Sequence, residues 1–411
     1  MRKNRKSILF ITPQLPYPPS SGGTIISFKM IDFLSKKYDL NLVCLLKTEE
    51  DVLNESIFKK EFVESFSSYK SFILDKNIFS RKIINLLKSY ILRVPFSVYR
   101  NSNNEMKEYI EWFIKNNKVD VIILDHFLTF QFIEKIINLI KTKEIKILLH
   151  EHNAEFLIFE RYAKSENNII KKIISYIESQ RVKKYEKKIC LLSDLVLCVS
   201  SNDIENLIKI GVDKNKLKLV MSLGDEELLL RKNLVFEDTE ECILFIGTLS
   251  WEANVDGLIW FITNAWNKIK KEVPNLKFYI IGKNPPQKLI TIINNYRDII
   301  LTGYVENLEE YYKKCRVFIS PLRFGSGIKI KNINAMYRGI PIVTTSIGAE
   351  GINGKDGEHF FIADDIENFT HKILTLIKDK EIWQKLSYNS RDLMRREYTW
   401  EKAMNVLEQI I

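Results

Sequence analysis

The chain has 411 residues, 45% hydrophobic, 28% charged and 11% aromatic. That composition excludes a disordered or fibrous chain, and the length suffices for two to three domains of about 150 residues each, with cores that need no disulfide or structural metal. Five scattered cysteines (Cys44, Cys190, Cys198, Cys242, Cys315) form no CxxC pair, which argues against a disulfide framework or a thiolate zinc site and fits a reducing cytosol. Net charge is +10, carried entirely by one half: residues 1–200 hold 33 Lys+Arg against 23 Asp+Glu, and residues 201–411 hold 29 against 29.

A basic run precedes apolar residues at the start, but the apolar stretch Ile8–Ile11 is too short for a secretory h-region of about 7–15 residues. No segment reads as a membrane span, so the expectation is a cytoplasmic protein, soluble or peripheral at the inner face of the membrane. SILFIT, FKMIDFLSKKY and LNLVCLL then read strand, helix, strand. Between the first two lies PQLPYPPSSGGT, where Gly22 and Gly23 make a side-chain-poor turn opening a helix. Free N–H groups and the positive end of the helix dipole at such a turn suit a phosphate.

Two helix-like stretches interleave Ile, Leu and Tyr with basic residues: FSRKIINLLKSYILRVPFSVYR (Arg81, Lys82, Lys88, Arg93, Arg100) and NNIIKKIISYIESQRVKKYEKKI (Lys171, Lys172, Arg181, Lys183, Lys184, Lys187, Lys188). They read either as a docking face for anionic lipid headgroups or as solvated helix faces. No RNP, KH or helix-turn-helix signature accompanies them, so nucleic acid is not an expected partner.

VDVIIL, a helix around FIEKIINLIK, and EIKILLHEH repeat the alternation, as do DLVLCVS, SNDIENLIKIG and KLKLVMS. Buried Ile/Leu/Val strands alternating with helices indicate parallel sheets covered on both faces. His126 ends one strand; His150 and His152 alternate at the end of the next, sharing a face from which Glu151 points away, with Glu155 following. No third metal ligand is evident, so no metal is expected, and His152 reads as a hydrogen-bonding or proton-handling group near a substrate. The acidic segment 225–240 breaks the rhythm and is expected to be an interdomain linker after a first domain, 1–224.

A second alternating set, 241–393, holds ILFIGTL, a helix through VDGLIWFITNAWNKIKKEV, LKFYIIG, DIILTGY, RVFISPL and IPIVTT, and a terminal helical segment spans 394–411. The expected architecture is two doubly wound Rossmann-like α/β domains whose ligand site is the cleft between them at the strand carboxyl ends. The densest chemistry lies in PLRFGSGIKIKNINAMYRG. There Gly325, Ser326 and Gly327 lead from a strand into a helix whose first turns carry Lys329 and Lys331, with Arg323 just upstream. Main-chain amides, a helix N-terminus and three cations on one spot are what a departing diphosphate requires. The two lysines stand about 200° apart around a helix, so both reach one ligand only if the helix begins near Lys329. The spacing is not that of a Walker A loop.

Taken in order, PPSSGG, HEHNAE, FIGTLSWEANVDGLIWF, LKFYIIGKNPP, TGYVENLEEYYKKCRVFISPLRFGSGIKIK, AMYRGIPIVTTSIGAEG and the terminal YTW resemble the retaining nucleotide-sugar glycosyltransferases of family 4. The resemblance implies the GT-B fold, with an N-terminal acceptor domain, a C-terminal domain binding a nucleoside-diphosphate sugar, and a terminal helix crossing back to the first domain. It also implies metal-independent, retaining transfer without a resident cofactor, to a glycan or lipid-linked acceptor in surface polysaccharide or glycoconjugate synthesis. Carried over by position, His152, Lys329 and Lys331 are catalytic. Gly22, Gly23, Gly303, Tyr304, Val305, Arg323, Gly325, Ser326, Gly327, Lys329, Lys331 and Asn334 face the donor, and His126, His150 and Glu155 face the acceptor. The chain departs from the family pattern where two Glu eight positions apart are usual, carrying Ser326 and Asn334, and at Thr248 and Ala253, where Arg and Lys are usual. Ser326 and Asn334 keep open the alternative of a catalytically inactive nucleotide-sugar-binding partner subunit, and a nucleotide-sugar epimerase of similar fold is a second alternative.

Overall fold

The protein is described from a computed structural model covering residues 5–19, 21–74, 82–165 and 168–411. It divides into two compact units, residues 1–222 with 404–411, and residues 223–403. Among the described residues no helix is long and apolar enough to cross a membrane.

The first unit is built on seven strands: β1 (Ser7–Thr12), β2 (Asp39–Leu46), β3 (Ser68–Ile73), β4 (Val121–Asp125), β5 (Lys146–Glu151), β6 (Leu195–Cys198) and β7 (Leu217–Leu219). They pair in the order β3-β2-β1-β4-β5-β6-β7, every neighbour parallel. The central strands are continuous apolar runs because helices cover both faces: Ile8–Ile11 and Ile122–Leu124 are fully buried. Its helices include α1 (Gly22–Lys37), α2 (Lys82–Ile91), α3 (Glu155–Ser165) and α4 (Ile169–Leu192). The helix expected around FIEKIINLIK is mostly 3-10 turns over Phe127–Phe132 and Glu134–Ile136, and only Ile137–Thr142 is α-helical. Phe127 through Phe132 are buried on every side, so this segment lacks the polar face an amphipathic helix keeps in water.

The second unit has six parallel strands: β8 (Glu240–Ile246), β9 (Lys277–Ile281), β10 (Ile299–Gly303), β11 (Cys315–Ser320), β12 (Ile342–Thr344) and β13 (Phe361–Ile362), in the order β10-β9-β8-β11-β12-β13. Helices α5 (Glu252–Phe261), α6 (Ile330–Arg338) and α7 (Lys380–Glu397) belong to it.

Residues 225–240 are packed onto this unit rather than spanning a gap. Arg391 donates to the carbonyls of Leu229 (2.8 Å) and Arg231 (2.9 Å), while Phe236 meets the Trp383 ring edge-on and lies 4.0 Å from the Arg316 guanidinium. The terminal helix α8 (Trp400–Ile410) starts after a break, not at 394, because α7 runs to Glu397. Tyr398 fixes the break: its hydroxyl accepts from Asn353 N–H (2.6 Å) and its carbonyl accepts from the Tyr337 hydroxyl (2.8 Å). Met404–Ile411 belong to the first unit, where Lys37 pairs with Glu408 and Lys146 donates to the Ile410 carbonyl.

Candidate functional sites at the two switch points

In each sheet the strand order reverses once, between β1 and β4 in the first unit and between β8 and β11 in the second. Loops leaving neighbouring strands in opposite directions open a crevice at such a point, which is where doubly wound sheets bind ligands. In both units the residues with chemistry sit there.

In the first unit the switch point is organised by Asp125, the last residue of β4, fully buried and in register with His150 of β5. Its Oδ1 lies 2.9 Å from His150 Nδ1 and 2.7 Å from His152 Nε2. The Thr12 and Ser27 hydroxyls stand 2.8 and 2.6 Å from its Oδ2. For one carboxylate oxygen to accept from both rings, His150 carries its proton on Nδ1 and His152 on Nε2. His152 Nδ1 is then the basic nitrogen, facing the first turn of α1; a Cβ added to Gly23 would stand 3.2 Å from it. Glycine at that position lets the helix end approach the imidazole.

Burial alone pushes the Asp125 carboxyl up, but the His152 charge and hydrogen bonds from both imidazoles outweigh it and hold the carboxyl well below its usual range. Burial and the His152 charge push His150 down to about 4. His126 Nε2 lies 3.4 Å from Glu155 Oε1; burial pulls His126 down against that carboxylate. Burial raises Glu155, but the His126 hydrogen bond and charge outweigh it and hold it low. Of the two rings that Asp125 orients, His150 is fully enclosed, while the His152 side chain keeps 10% exposure. An imidazole oriented by a buried carboxylate, with its second nitrogen turned away from that carboxylate, is placed to exchange a proton with a bound group. Asp125, His150 and His152 also place three ligating atoms within 4.8 Å of one another, so the third metal-type donor that the sequence pattern did not reveal is Asp125. Its oxygens are already engaged by two rings and two hydroxyls, a set that an entering ion must displace.

Glu151 points to the opposite face, as strand alternation requires. There burial and the nearby Glu186 push its carboxyl well above the usual range. Neither of its oxygens finds a hydrogen-bond partner among the described residues, as fits a protonated acid. Glu186, likewise raised by burial and by Glu155, accepts the main-chain N–H groups of Glu155 (2.9 Å) and Phe156 (3.2 Å) and so caps α3.

In the second unit α6 begins at Ile330 with Lys329 as its N-cap residue, the condition under which Lys329 and Lys331 can serve one ligand. The loop before it needs glycine: Gly325 has φ +134° and Gly327 φ +71°, and a Cβ at Gly325 would press on Trp251. Lys329 is buried and donates to the Ser326 carbonyl (3.0 Å) and the Gly327 carbonyl, bracing the loop. Lys331 Nζ donates to Asn254 Oδ1 (2.6 Å) and stands 4.3 Å above the Phe245 ring. Burial and the neighbouring Lys329 charge hold its amine well below the usual lysine range. Asn254 in turn donates to the Thr248 carbonyl (2.8 Å), tying the loop after β8 to the lysine.

Arg323 departs from the expected three-cation focus. Its guanidinium is bound two-pronged by Asp256 of α5, Nε to Oδ2 at 2.8 Å and Nη2 to Oδ1 at 2.6 Å, so its charge is already matched. Asn334 is also engaged: its Oδ1 accepts from Asp225 N–H (2.8 Å), and a Cβ on Gly224 would fall 1.8 Å from that oxygen. Gly303, with φ +76°, has open space at its Cβ position, Tyr304 beside it is 61% exposed beneath the Lys283 amine, and Val305 is half-buried. The structure therefore brings together Gly23, His126, His150, His152 and Glu155 in one unit, and Gly325, Ser326, Gly327, Lys329 and Lys331 in the other. Sequence reasoning missed Asp125, Thr12, Ser27, Asn254 and Asp256. For Asp125 the signal was its place at the end of VIILD, beside His126.

Comparison with known proteins is consistent with this geometry. Residues 240–379 match the sequence model of the family described as glycosyl transferases group 1. A curated relative, an uncharacterized 44.6 kDa protein in the cps region of Klebsiella pneumoniae, is 25% identical over 97% of this chain and 98% of its own length. Among solved structures, sucrose-phosphate synthase from Thermosynechococcus elongatus superposes with a TM-score of 0.70 at 15% identity, covering 99% of this chain and 98% of that one. A mutant of TarM from S. aureus, in complex with fondaparinux, alpha-GlcNAc-glycerol and UDP, gives 0.68 at 12% identity over 98% and 99%. The second unit thus matches the group 1 glycosyl transferase domain, and the two Rossmann-like units have the fold of GT-B glycosyltransferase structures.

Proposed function

We propose that the protein transfers a sugar from a nucleoside-diphosphate donor to a glycan or lipid-linked acceptor, with retention of anomeric configuration and without a metal, as family 4 enzymes do. The observation that carries this is the second switch point: a glycine-bent loop running into the N-terminus of α6, with the Lys331 amine held at its first turn by Asn254. An anion beside a desolvated amine favours its charged form, so a lysine at this helix end suits a diphosphate and stabilises its charge as it departs. The loop amides at Gly325–Ile328 and the Gly303–Val305 turn complete the donor side. In the first unit, His152 oriented by Asp125 acts on the transferred sugar or the acceptor hydroxyl. The relative in a cps region supports polysaccharide synthesis as the setting, and the TarM complex with UDP supports a uridine donor.

The test incubates the purified chain with UDP-sugars and a lipid-linked acceptor, with and without EDTA, and reads product configuration by NMR. An α-linked product from an α-linked donor, undiminished by EDTA, is expected. An inverted product or loss of transfer in EDTA overturns the mechanism. Conversion of the donor without acceptor identifies an epimerase, and donor binding with neither reaction identifies an inactive partner subunit.

A further inference from the structure

The first unit carries a surface that a water-soluble globular face does not explain. Helix α2 is inverted: it buries polar Asn85 and Ser89 and turns Ile84, Leu87, Tyr90 and Ile91 to solvent, at 50%, 59%, 41% and 80% exposure. Leu92, at its C-terminal end, is 59% exposed. The first turns of α4 behave alike. Its buried residues begin only at Glu178, and the preceding turns expose Ile169, Ile170, Ile173, Ile174, Tyr176 and Ile177. Single exposed apolar side chains are ordinary, but two helices that both show their apolar residues to water mark a face that meets something apolar.

The two helices form one patch. Arg181 of α4 donates to the Ser89 carbonyl of α2 (2.8 Å) and to Glu178 (2.7 Å), and its guanidinium lies 4.0 Å from the Tyr90 ring. Glu178 accepts from Phe96 N–H (2.5 Å), just beyond α2. Exposed Lys88, Arg93, Lys171 and Lys172 are interspersed with the apolar residues. Arg81, at the start of the same basic stretch, lies outside the described residues. All of the chain's net charge of +10 falls in residues 1–200, the half that holds this patch.

We propose that this face docks the protein on an anionic lipid bilayer, with the isoleucines and leucines of α2 and α4 entering the headgroup–acyl boundary and the flanking cations meeting lipid phosphates. Charge decides the occupant. A second copy would bring the same cations face to face, whereas an anionic bilayer satisfies both the apolar and the basic parts. The surface deepens the reading of a lipid-linked acceptor, since it holds the first unit where such an acceptor lies.

The test is co-sedimentation of the full chain, without any sugar donor, on vesicles of phosphatidylcholine alone and of equimolar phosphatidylcholine and phosphatidylglycerol. Binding to the anionic vesicles only, weakened by salt, is expected. Lys171→Ala with Lys172→Ala should weaken it about thirtyfold, and Ile169→Ser, Ile170→Ser and Ile173→Ser together should abolish it. These positions are exposed, so folding should be intact by circular dichroism, and turnover of a water-soluble acceptor should be unchanged. Equal binding by the variants overturns the surface assignment. Absence of vesicle binding together with a concentration-dependent dimer dissolved by the isoleucine substitutions assigns the patch to a second copy instead. Because no sugar enters the assay, its outcome is independent of whether the transferase reading stands.

Discussion

Asp125 is the residue on which the first unit's chemistry turns, and it makes acid the weak side of this protein. His150 is held at about 4 in the fold against about 6.5 in an unfolded chain, so the unfolded state takes up a proton that the native state refuses between those values. Stability therefore falls as pH drops through that window, by about 3 kcal/mol from this group. The depressed Asp125 adds a further loss below the ordinary aspartate range. Thermal melts at pH 7 and pH 4 should show the decline, and His150→Gln should flatten it; an unchanged slope contradicts the buried neutral imidazole. Asp125→Asn removes the negative charge that orients His152 and replaces one acceptor oxygen by an N–H donor, and it should lower transfer roughly 100-fold while leaving UDP binding intact. Loss of UDP binding in that variant places its role elsewhere. The three histidines were legible because they end adjacent strands. Asp125 was not, because its partners Thr12 and Ser27 lie 113 and 98 positions away and meet it only through the β1–β4 pairing.

At the scale of elements, the strands were legible from their apolar runs, and both switch points follow from strand order, which periodicity alone does not give. The start of α6 was legible as well, since two glycines requiring positive φ precede it. What could not be read was the seating of α5 against the loop. A Cβ at Gly257 would fall 2.2 Å from the Pro321 carbonyl oxygen, so that glycine sets how closely α5 approaches the segment holding Arg323 and Lys329. Gly257→Ala should cost about 1–3 kcal/mol, seen as a lower Tm, and should weaken diphosphate binding by displacing Asn254 and Asp256. Unaltered melting and binding contradict the close packing. Likewise the pairing of Arg323 with Asp256 and of Asn334 with Asp225 had no signature in the sequence, because each partner lies on an element placed only by the folded sheet.

For the whole molecule, the division of charge between a basic half and a neutral half was plain from composition, and so were two doubly wound α/β units. The basic half carries both the His152 site and the inverted helices, while the neutral half carries Lys329 and Lys331 at the start of α6. Lys331 carries the central claim that this helix end receives a diphosphate. Lys331→Met keeps an aliphatic stem over Phe245 but leaves the Asn254 Oδ1 acceptor without this donor, so without nucleotide the variant should melt somewhat below wild type. The most direct measurement is the thermal stability of wild-type protein and Lys331→Met with UDP, GDP and ADP in turn. At a hundred times the dissociation constant, one of these should stabilise the wild type by about 2.7 kcal/mol, while the variant gains nothing over its own melt without nucleotide. No stabilisation by any nucleoside diphosphate, or an equal gain in the variant, contradicts the account.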